Sequence, residues 1–169
     1  MLIYVTGVPG TGKSTVRQAL LERGYESHDV DEGFAATYNK DTGQRVNEAE
    51  VVRTRAWHEN NEWLISLESV RELAEQTKDR IAFLCGVARN DTEVLDVFSR
   101  VVALDVDETT LQDRLSGRSD RFGTAQEELE LALEWQQAAR TLYKDLGIPV
   151  VDTSMPIDAV VENILRLVK

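Results

Sequence analysis

Gly7-Val8-Pro9-Gly10-Thr11-Gly12-Lys13-Ser14 follows directly on the apolar run Leu2-Ile3-Tyr4-Val5-Thr6. It fits the pattern G-x-x-x-x-G-K-[ST] at every fixed position. The run before it reads as a buried strand, and the stretch from about Lys13 to Arg23 reads as a helix. Glycines let the backbone curl so that successive N–H groups point inward, an anion nest at the positive end of a helix. In such a nest Lys13 bridges β- and γ-phosphates and the Ser14 hydroxyl ligates Mg²⁺. Gly7, Gly10, Thr11, Gly12, Lys13, Ser14 and Thr15 are therefore the candidate phosphate-binding residues.

Outward from this loop, strands and helices alternate. Tyr25–Val30, Ile81–Cys85 and Val101–Leu104 read as strands, with Val150-Val151 as a short fifth. Trp63, Leu67, Val70 and Ala74 form one apolar stripe of a long helix expected within Asn47–Lys78. Ala132, Trp135, Ala139, Leu142 and Leu146 form another, with Thr124 and Glu127 as a capping box at its start. Asp107 is a cap for a helix over Glu108–Ser116, and Pro156 suits the first turn of the last helix. The polar stretch Glu32–Gln44 reads as an irregular loop. Alternation of this kind predicts a parallel sheet with right-handed crossovers.

Composition narrows the function classes. The chain has 169 residues, 42 % hydrophobic and 29 % charged, which suits one globular domain over residues 1–169. A net charge of −11 argues against nucleic acid and against an anionic membrane surface as partners. One cysteine allows no internal disulfide, and with two histidines it falls short of a structural zinc site. No apolar window is long enough to span a membrane, and no signal peptide is evident, so a cytoplasmic protein is expected. A monomer is expected, with a dimer left open. The charge does not exclude a small polyanion, because the candidate site collects Lys13, Arg89, Arg114, Arg118 and Arg121 against Asp29 and Asp31. The acidity falls instead on helices, at Glu68, Glu72 and Glu75 or at Glu127, Glu128, Glu130 and Glu134, where solvated faces are expected.

A phosphate cradle does not name a reaction. A GTPase switch needs D-x-x-G after an apolar strand, whereas Asp120-Arg121-Phe122-Gly123 follows the polar pair Arg118-Ser119. Asn39-Lys40-Asp41-Thr42 is not N-K-x-D and lies too close to the cradle. The switch reading is rejected.

The chain instead resembles the small-molecule kinases among the P-loop proteins: adenylate and other nucleoside monophosphate kinases, shikimate kinase and gluconate kinase. The resemblance rests on Gly7 to Thr15, on Leu104-Asp105-Val106-Asp107 with Leu111 and Arg114-Leu115-Ser116-Gly117-Arg118, and on the closing run from Tyr143 through Val150-Val151-Asp152 to Val160. It implies a three-layer α/β P-loop fold, a five-stranded parallel sheet in the order 2-3-1-4-5, and a short lid at about residues 117–123. The residue matching Arg114 lies against adenine in adenylate kinase, and the one matching Arg118 contacts the transferring phosphates. A guanidinium suits both tasks, since it stacks on planes and forks onto phosphate oxygens. Arg121 is a further lid cation for the transition state.

Two departures from the adenylate kinase pattern shape the remaining expectations. That pattern has an acid ending the third strand; here the run is Cys85-Gly86-Val87-Ala88-Arg89. A buried thiol behaves as a small hydrophobe, so the charge must come from elsewhere. Asp29-Val30-Asp31 is the natural source, with period two placing both carboxylates on one side of an extended strand. This D-x-D resembles shikimate kinase, which implies that one acid helps the metal and the other holds or deprotonates the acceptor hydroxyl; Asp29, with Ser14, is the candidate for the metal and Asp31 for the hydroxyl, and both are candidates for substrate binding. The second departure is on the acceptor side, at about residues 32–60. Arg89 matches a phosphate anchor, and Arg53 or Arg55 could assist. Trp57, His58 and Trp63 could line a ring pocket, although aromatics at such spacing more often form core. His28 reads as an ordinary strand or loop histidine, and Cys85 as a buried, inert thiol. Together these imply transfer of phosphate from ATP·Mg²⁺ to a small-molecule acceptor, with a nucleoside or nucleotide preferred. Alternatives are a sugar acid, a shikimate-like alcohol or an antibiotic, or a regulatory ATP-binding protein without transfer.

Overall fold

The computed structural model describes residues 1–47, 54–117 and 126–168. Its centre is strand β1 (Leu2–Thr6), buried along its whole length because parallel neighbours flank it and helices cover both faces. The chain continues into α1 (Lys13–Glu22), β2 (Glu26–Asp29), β3 (Ala35–Asn39), α2 (Arg55–Asn60), β4 (Asn61–Ile65) and α3 (Leu67–Gln76). After these come β5 (Ala82–Cys85), the short α4 (Asp91–Val94), β6 (Arg100–Asp105) and α5 (Glu108–Ser116). The long α6 (Gln126–Asp145), β7 (Val150–Asp152) and α7 (Ile157–Val168) complete the order.

The main sheet is parallel, in the order β2-β5-β1-β6-β7. Counted among its own strands, that is the expected 2-3-1-4-5. Alternation along β1 divides the core. Ile3 and Val5 join Val16 and Leu20 of α1 and Val160, Val161, Ile164 and Leu165 of α7. Leu2 and Tyr4 face the other way, onto Val70 and Leu73 of α3 and Val94 of α4, with the Tyr4 and Phe98 rings stacked 4.7 Å apart. A smaller cluster of Val8, Val106, Leu111, Leu115 and Ala132 lies where α5 and α6 meet the end of β6.

Two segments fold differently from expectation. Part of the stretch read as a loop over Glu32–Gln44 is β3, which pairs antiparallel with β4 in a separate two-stranded sheet. The long helix read within Asn47–Lys78 is divided: α2 is six residues, β4 follows it without a gap, and α3 begins only at Leu67. Trp63 therefore lies on a strand, in register with Thr37, and its spacing from Leu67 is not a helical stripe. Pairing with β3 and the Ser66 cap on the Ser69 N–H decided the matter locally. The β3–β4 arm is tied to the loop after β5, where the Arg89 N–H donates to the Trp63 carbonyl (2.8 Å) and the Asn90 side chain bonds both backbone groups of Ile65. It is thereby positioned beside the carboxyl ends of β2 and β5, where ligands of open α/β sheets bind.

Candidate functional site: a phosphate cradle beside a strand-end carboxylate

The loop between β1 and α1 has the backbone its glycines permit. Gly7, Gly10 and Gly12 have φ of 150°, 94° and 94°. A Cβ on Gly7 would stand 2.6 Å from the Leu104 carbonyl oxygen, and one on Gly10 would stand 2.6 Å from Leu111 Cδ1. The loop is therefore pressed onto β6 and α5, and only residues without side chains fit. Thr11, fully buried, pins the turn by donating from Oγ1 to the Val8 carbonyl (2.9 Å). The N-terminus of α1 has no side-chain cap and no acidic residue in its first turn, so its amides stay available for anionic oxygens. Lys13 Nζ folds back over the loop onto the carbonyls of Gly7 (2.6 Å) and Val8 (3.0 Å). Ser14 and Thr15 are exposed on the first turn.

Beside the cradle, Asp29 ends β2 directly opposite Cys85 at the end of β5. Cys85 belongs to the α1 side of the core and is fully buried. Burial pushes its thiol up to about 12, with the Asp29 carboxylate adding to the rise and Arg17 and Lys13 opposing it. The thiol is neutral and inert, as the sequence suggested. Strand neighbours in register are about 4.8 Å apart, so a carboxylate absent from β5 is present one strand away. Among the described residues no three His, Cys, Asp or Glu side chains gather as a metal-holding group. A magnesium ion would instead be held by Ser14, Asp29 and the nucleotide's own phosphates, which suits a cation that takes few protein ligands.

The second acid of the D-x-D is placed otherwise than expected. The strand stops at Asp29, and Asp31 lies exposed in a turn, its N–H donating to Asp29 Oδ1 at 3.1 Å. Glu32 N–H to the Asp29 carbonyl and Phe34 N–H to the Val30 carbonyl close the same turn. Period two thus ends before Asp31, because Asp29 accepts its neighbour's amide and starts an Asx turn.

Arg114 lies against the opposite side of the loop. Its guanidinium donates to Thr153 Oγ1 (3.0 Å), the Thr153 carbonyl (2.7 Å) and, at 3.5 Å, the Gly10 carbonyl. With Gly12, Thr15, Met155 and Ile157 it lines a cleft of about 360 Å³ open to the cradle. Arg89 is exposed on the arm-bearing loop after β5. Arg53, Arg118, Arg121 and Thr124 lie outside the described residues, as does most of the stretch 117–123.

Several candidates are committed elsewhere. Arg55 caps no acceptor pocket: its guanidinium pairs with Glu134 of α6 at 2.9 Å, and its N–H donates to Glu127. Trp57 and Trp135 each meet the His58 ring edge to face, at 5.0 and 5.6 Å, in the junction of α2 with α6. Glu128, read as solvated, is 5 % exposed and stands 3.7 Å from His58 Nε2, because α2 covers that side of α6. His28 bonds Glu26 and packs edge-on to Phe34, an ordinary strand histidine.

The sequence did not point to four further participants. Arg140 and Gln136 of α6 grip the end of β6, through Asp105 and the Val106 carbonyl at 2.6–2.8 Å, and so hold the floor under Val8. Asp91 accepts from Tyr4 OH (2.6 Å), Thr6 Oγ1 (3.0 Å) and the Ala88 N–H (2.8 Å) just below the loop. Burial raises its carboxyl to about 6 against the pull of those donors and of Lys13. Arg17, four residues after Lys13, holds Glu32. Only Arg17 carried a signal, its helical spacing from the cradle lysine.

A strand–loop–helix cradle of this geometry, on a parallel sheet of this order, defines a P-loop nucleotide-binding α/β protein. Residues 3–132 match the family described as AAA domain, and the chain belongs to that family. No curated protein sequence matches it. Among solved structures it is similar to an unliganded sugar kinase from Janibacter sp., at 20 % identity and TM-score 0.59, over 98 % of this chain and 92 % of that one. A gluconokinase from Sinorhizobium meliloti aligns at 19 % identity and TM-score 0.56, covering 98 % and 90 %. A shikimate kinase from Bacteroides thetaiotaomicron aligns at 16 % identity and TM-score 0.61, covering 99 % and 97 %. At these identities the likeness is one of fold. Among the described residues no helix is long and apolar enough to cross a membrane.

Proposed function

We propose that this protein transfers the γ-phosphoryl group of ATP to a hydroxyl of a small-molecule acceptor. The observation that carries the reading is the adjacency of an uncapped, lysine-bearing cradle and the strand-end carboxylate Asp29. Lys13, released from the Gly7 and Val8 carbonyls, takes the β- and γ-phosphate oxygens, and the α1 amides take the rest. Arg114 and the cleft beside it receive the base. Ser14 and Asp29 would hold Mg²⁺, which when bound neutralises charge on the phosphates. Asp31 orients the acceptor hydroxyl and accepts its proton as the new O–P bond forms and the β–γ bridging P–O bond breaks, leaving ADP. Arg118 and Arg121 are assigned to the moving phosphoryl group, from a lid at about residues 117–123 of a single domain, and Arg53 and Arg89 to the acceptor side. Catalysis on this scheme is positioning and electrostatics.

A sugar-like or cyclic hydroxy compound is the acceptor class supported here, in place of the nucleoside or nucleotide that the sequence favours. Arg55 is taken up by Glu134 of α6 and is not available to hold an acceptor phosphate beside Arg89. The similar folds are named as kinases of sugars, gluconate and shikimate, all hydroxyl compounds. The test is ADP release from ATP across a panel of sugar acids, cyclic hydroxy acids, nucleosides and nucleotides. Acceptor-dependent release with the hydroxy compounds is expected. Silence across the panel with ATP binding intact overturns the reading in favour of a regulatory ATP-binding protein.

A further inference from the structure

We propose that Arg17 anchors a carboxylate of the acceptor, and that Glu32 competes for the same guanidinium. The proposal rests on the phosphotransferase reading and names the class of substrate at that site: a hydroxy acid rather than a neutral alcohol.

Arg17 lies one helical turn beyond Lys13, on the same face of α1. Side chains on a helix lean toward its N-terminus, so the long Arg17 side chain returns toward the mouth of the cradle. There its Nη2 donates to both oxygens of Glu32, at 2.9 and 2.8 Å. Glu32 is in the turn that follows β2, its own N–H bonded to the Asp29 carbonyl. Through the Glu32 carboxylate the guanidinium is held against the turn that carries Asp31 and follows Asp29. Electrostatics agree, since the Cys85 thiol feels Asp29, Arg17 and Lys13 together.

The pair is asymmetric. The Arg17 side chain is 23 % exposed and Glu32 57 %. Arg17 Nε is buried and has no hydrogen-bond acceptor among the described residues. A guanidinium offers a two-point edge to a carboxylate, and here Glu32 uses one nitrogen only. An exposed ion pair is weakly held. An incoming carboxylate can therefore replace Glu32 and satisfy Nε as well, a gain that the internal pair leaves unrealised. A neutral acceptor has nothing to offer Nε and leaves Arg17 with Glu32.

Transfer from ATP is measured with two acids, gluconate and shikimate, with their neutral counterparts, glucitol and methyl shikimate, and with the full acceptor panel named above, nucleosides and nucleotides included. With at least one pair, wild type has a KM for the acid about tenfold or more below that for the neutral compound. Arg17→Met removes that preference and so raises the acid-to-neutral KM ratio about tenfold or more, the loss of one two-point charged contact. Glu32→Gln moves the ratio the opposite way, because the competitor is weakened. If Arg17 and Glu32 merely brace the turn, both variants raise KM for acid and neutral acceptors alike. That outcome overturns the proposal, as does transfer confined to neutral alcohols or nucleosides; both leave the phosphotransferase reading standing. Absence of transfer to every compound, with ATP binding retained, overturns that reading and this one with it.

Discussion

Asp29 and Cys85 are register partners across β2 and β5, and both belong to the side of the sheet that α1 covers. The negative charge next to the phosphate cradle has therefore been moved by one strand. Asp29→Asn keeps the shape and removes that charge. Its turnover in acceptor-dependent ADP release should fall at least ~10²-fold, with ATP affinity measured without magnesium unchanged within about threefold. Cys85→Ser, opposite it, should change turnover little. A Cys85→Ser loss as large as that of Asp29→Asn would show that the thiol, not the carboxylate, matters.

The cradle itself has no room for a methyl group. Gly10→Ala places a Cβ against Leu111 and Leu115 at a φ of 94°. The left-handed strain and the clash together should lower stability by ~1–3 kcal/mol and ATP affinity at least tenfold. Denaturant unfolding and nucleotide titration measure the two effects. Lys13→Ala, by contrast, should leave stability nearly unchanged and lower turnover at least ~10²-fold. Near-native turnover in Lys13→Ala would remove the lysine from the mechanism.

Arg114 joins the cradle to β7's exit through Thr153 and Gly10. Arg114→Ala opens the cleft and removes the groups that set its wall. KM for ATP should rise about tenfold while KM for the acceptor stays within twofold. An equal rise in both would place Arg114 in general folding rather than on the donor side.

Asp91 gives stability a pH signature of its own. Its carboxyl is raised from 3.8 to about 6 by burial, so between those values the folded state binds the proton more tightly than the unfolded chain does. Stability from this group is therefore fully present below pH ~4 and declines as pH rises toward 6, by ~2–3 kcal/mol at most. The stability of Asp91→Asn relative to wild type should improve over that interval and level off above it. Urea unfolding at pH 4, 5, 6 and 7 reads the difference; a flat line would mean that Asp91 is ionised throughout.

At the junction of α2 and α6, burial separates an exposed ion pair from a buried carboxylate–imidazole contact. Arg55 and Glu134 are 36 % and 59 % exposed, and Arg55→Met should cost less than ~1 kcal/mol. Glu128 beside His58 is 6 % exposed in its side chain, and Glu128→Ala should cost ~2–4 kcal/mol, since it strips a buried partner from His58 and leaves a void. Thermal unfolding of the two variants orders them, and a reversed order would contradict this account of the junction.

Local sequence determined the cradle completely. Strand, glycine spacing, Lys13, Ser14 and helix all follow one another within the first 22 residues, so no distant contact had to be known. The strands of the main sheet and the inert Cys85 were also legible, because buried parallel strands and a thiol within one are apolar runs whatever their neighbours; the order of the strands came from the resemblance to small-molecule kinases and not from those runs. Tertiary structure decided the region proposed for the acceptor. Trp63 reads as helical until Thr37 pairs with it, and Glu128 reads as solvated until α2 is laid over it. Asp31 leaves the strand because Asp29 accepts its amide. Arg17 and Glu32, fifteen residues apart in sequence, meet only because α1 returns along the sheet to the turn after β2. Phosphate binding is chemistry of contiguous backbone, and one segment can specify it. Acceptor recognition depends on side chains from separate elements converging on one sheet edge, and their meeting is a property of the packed fold.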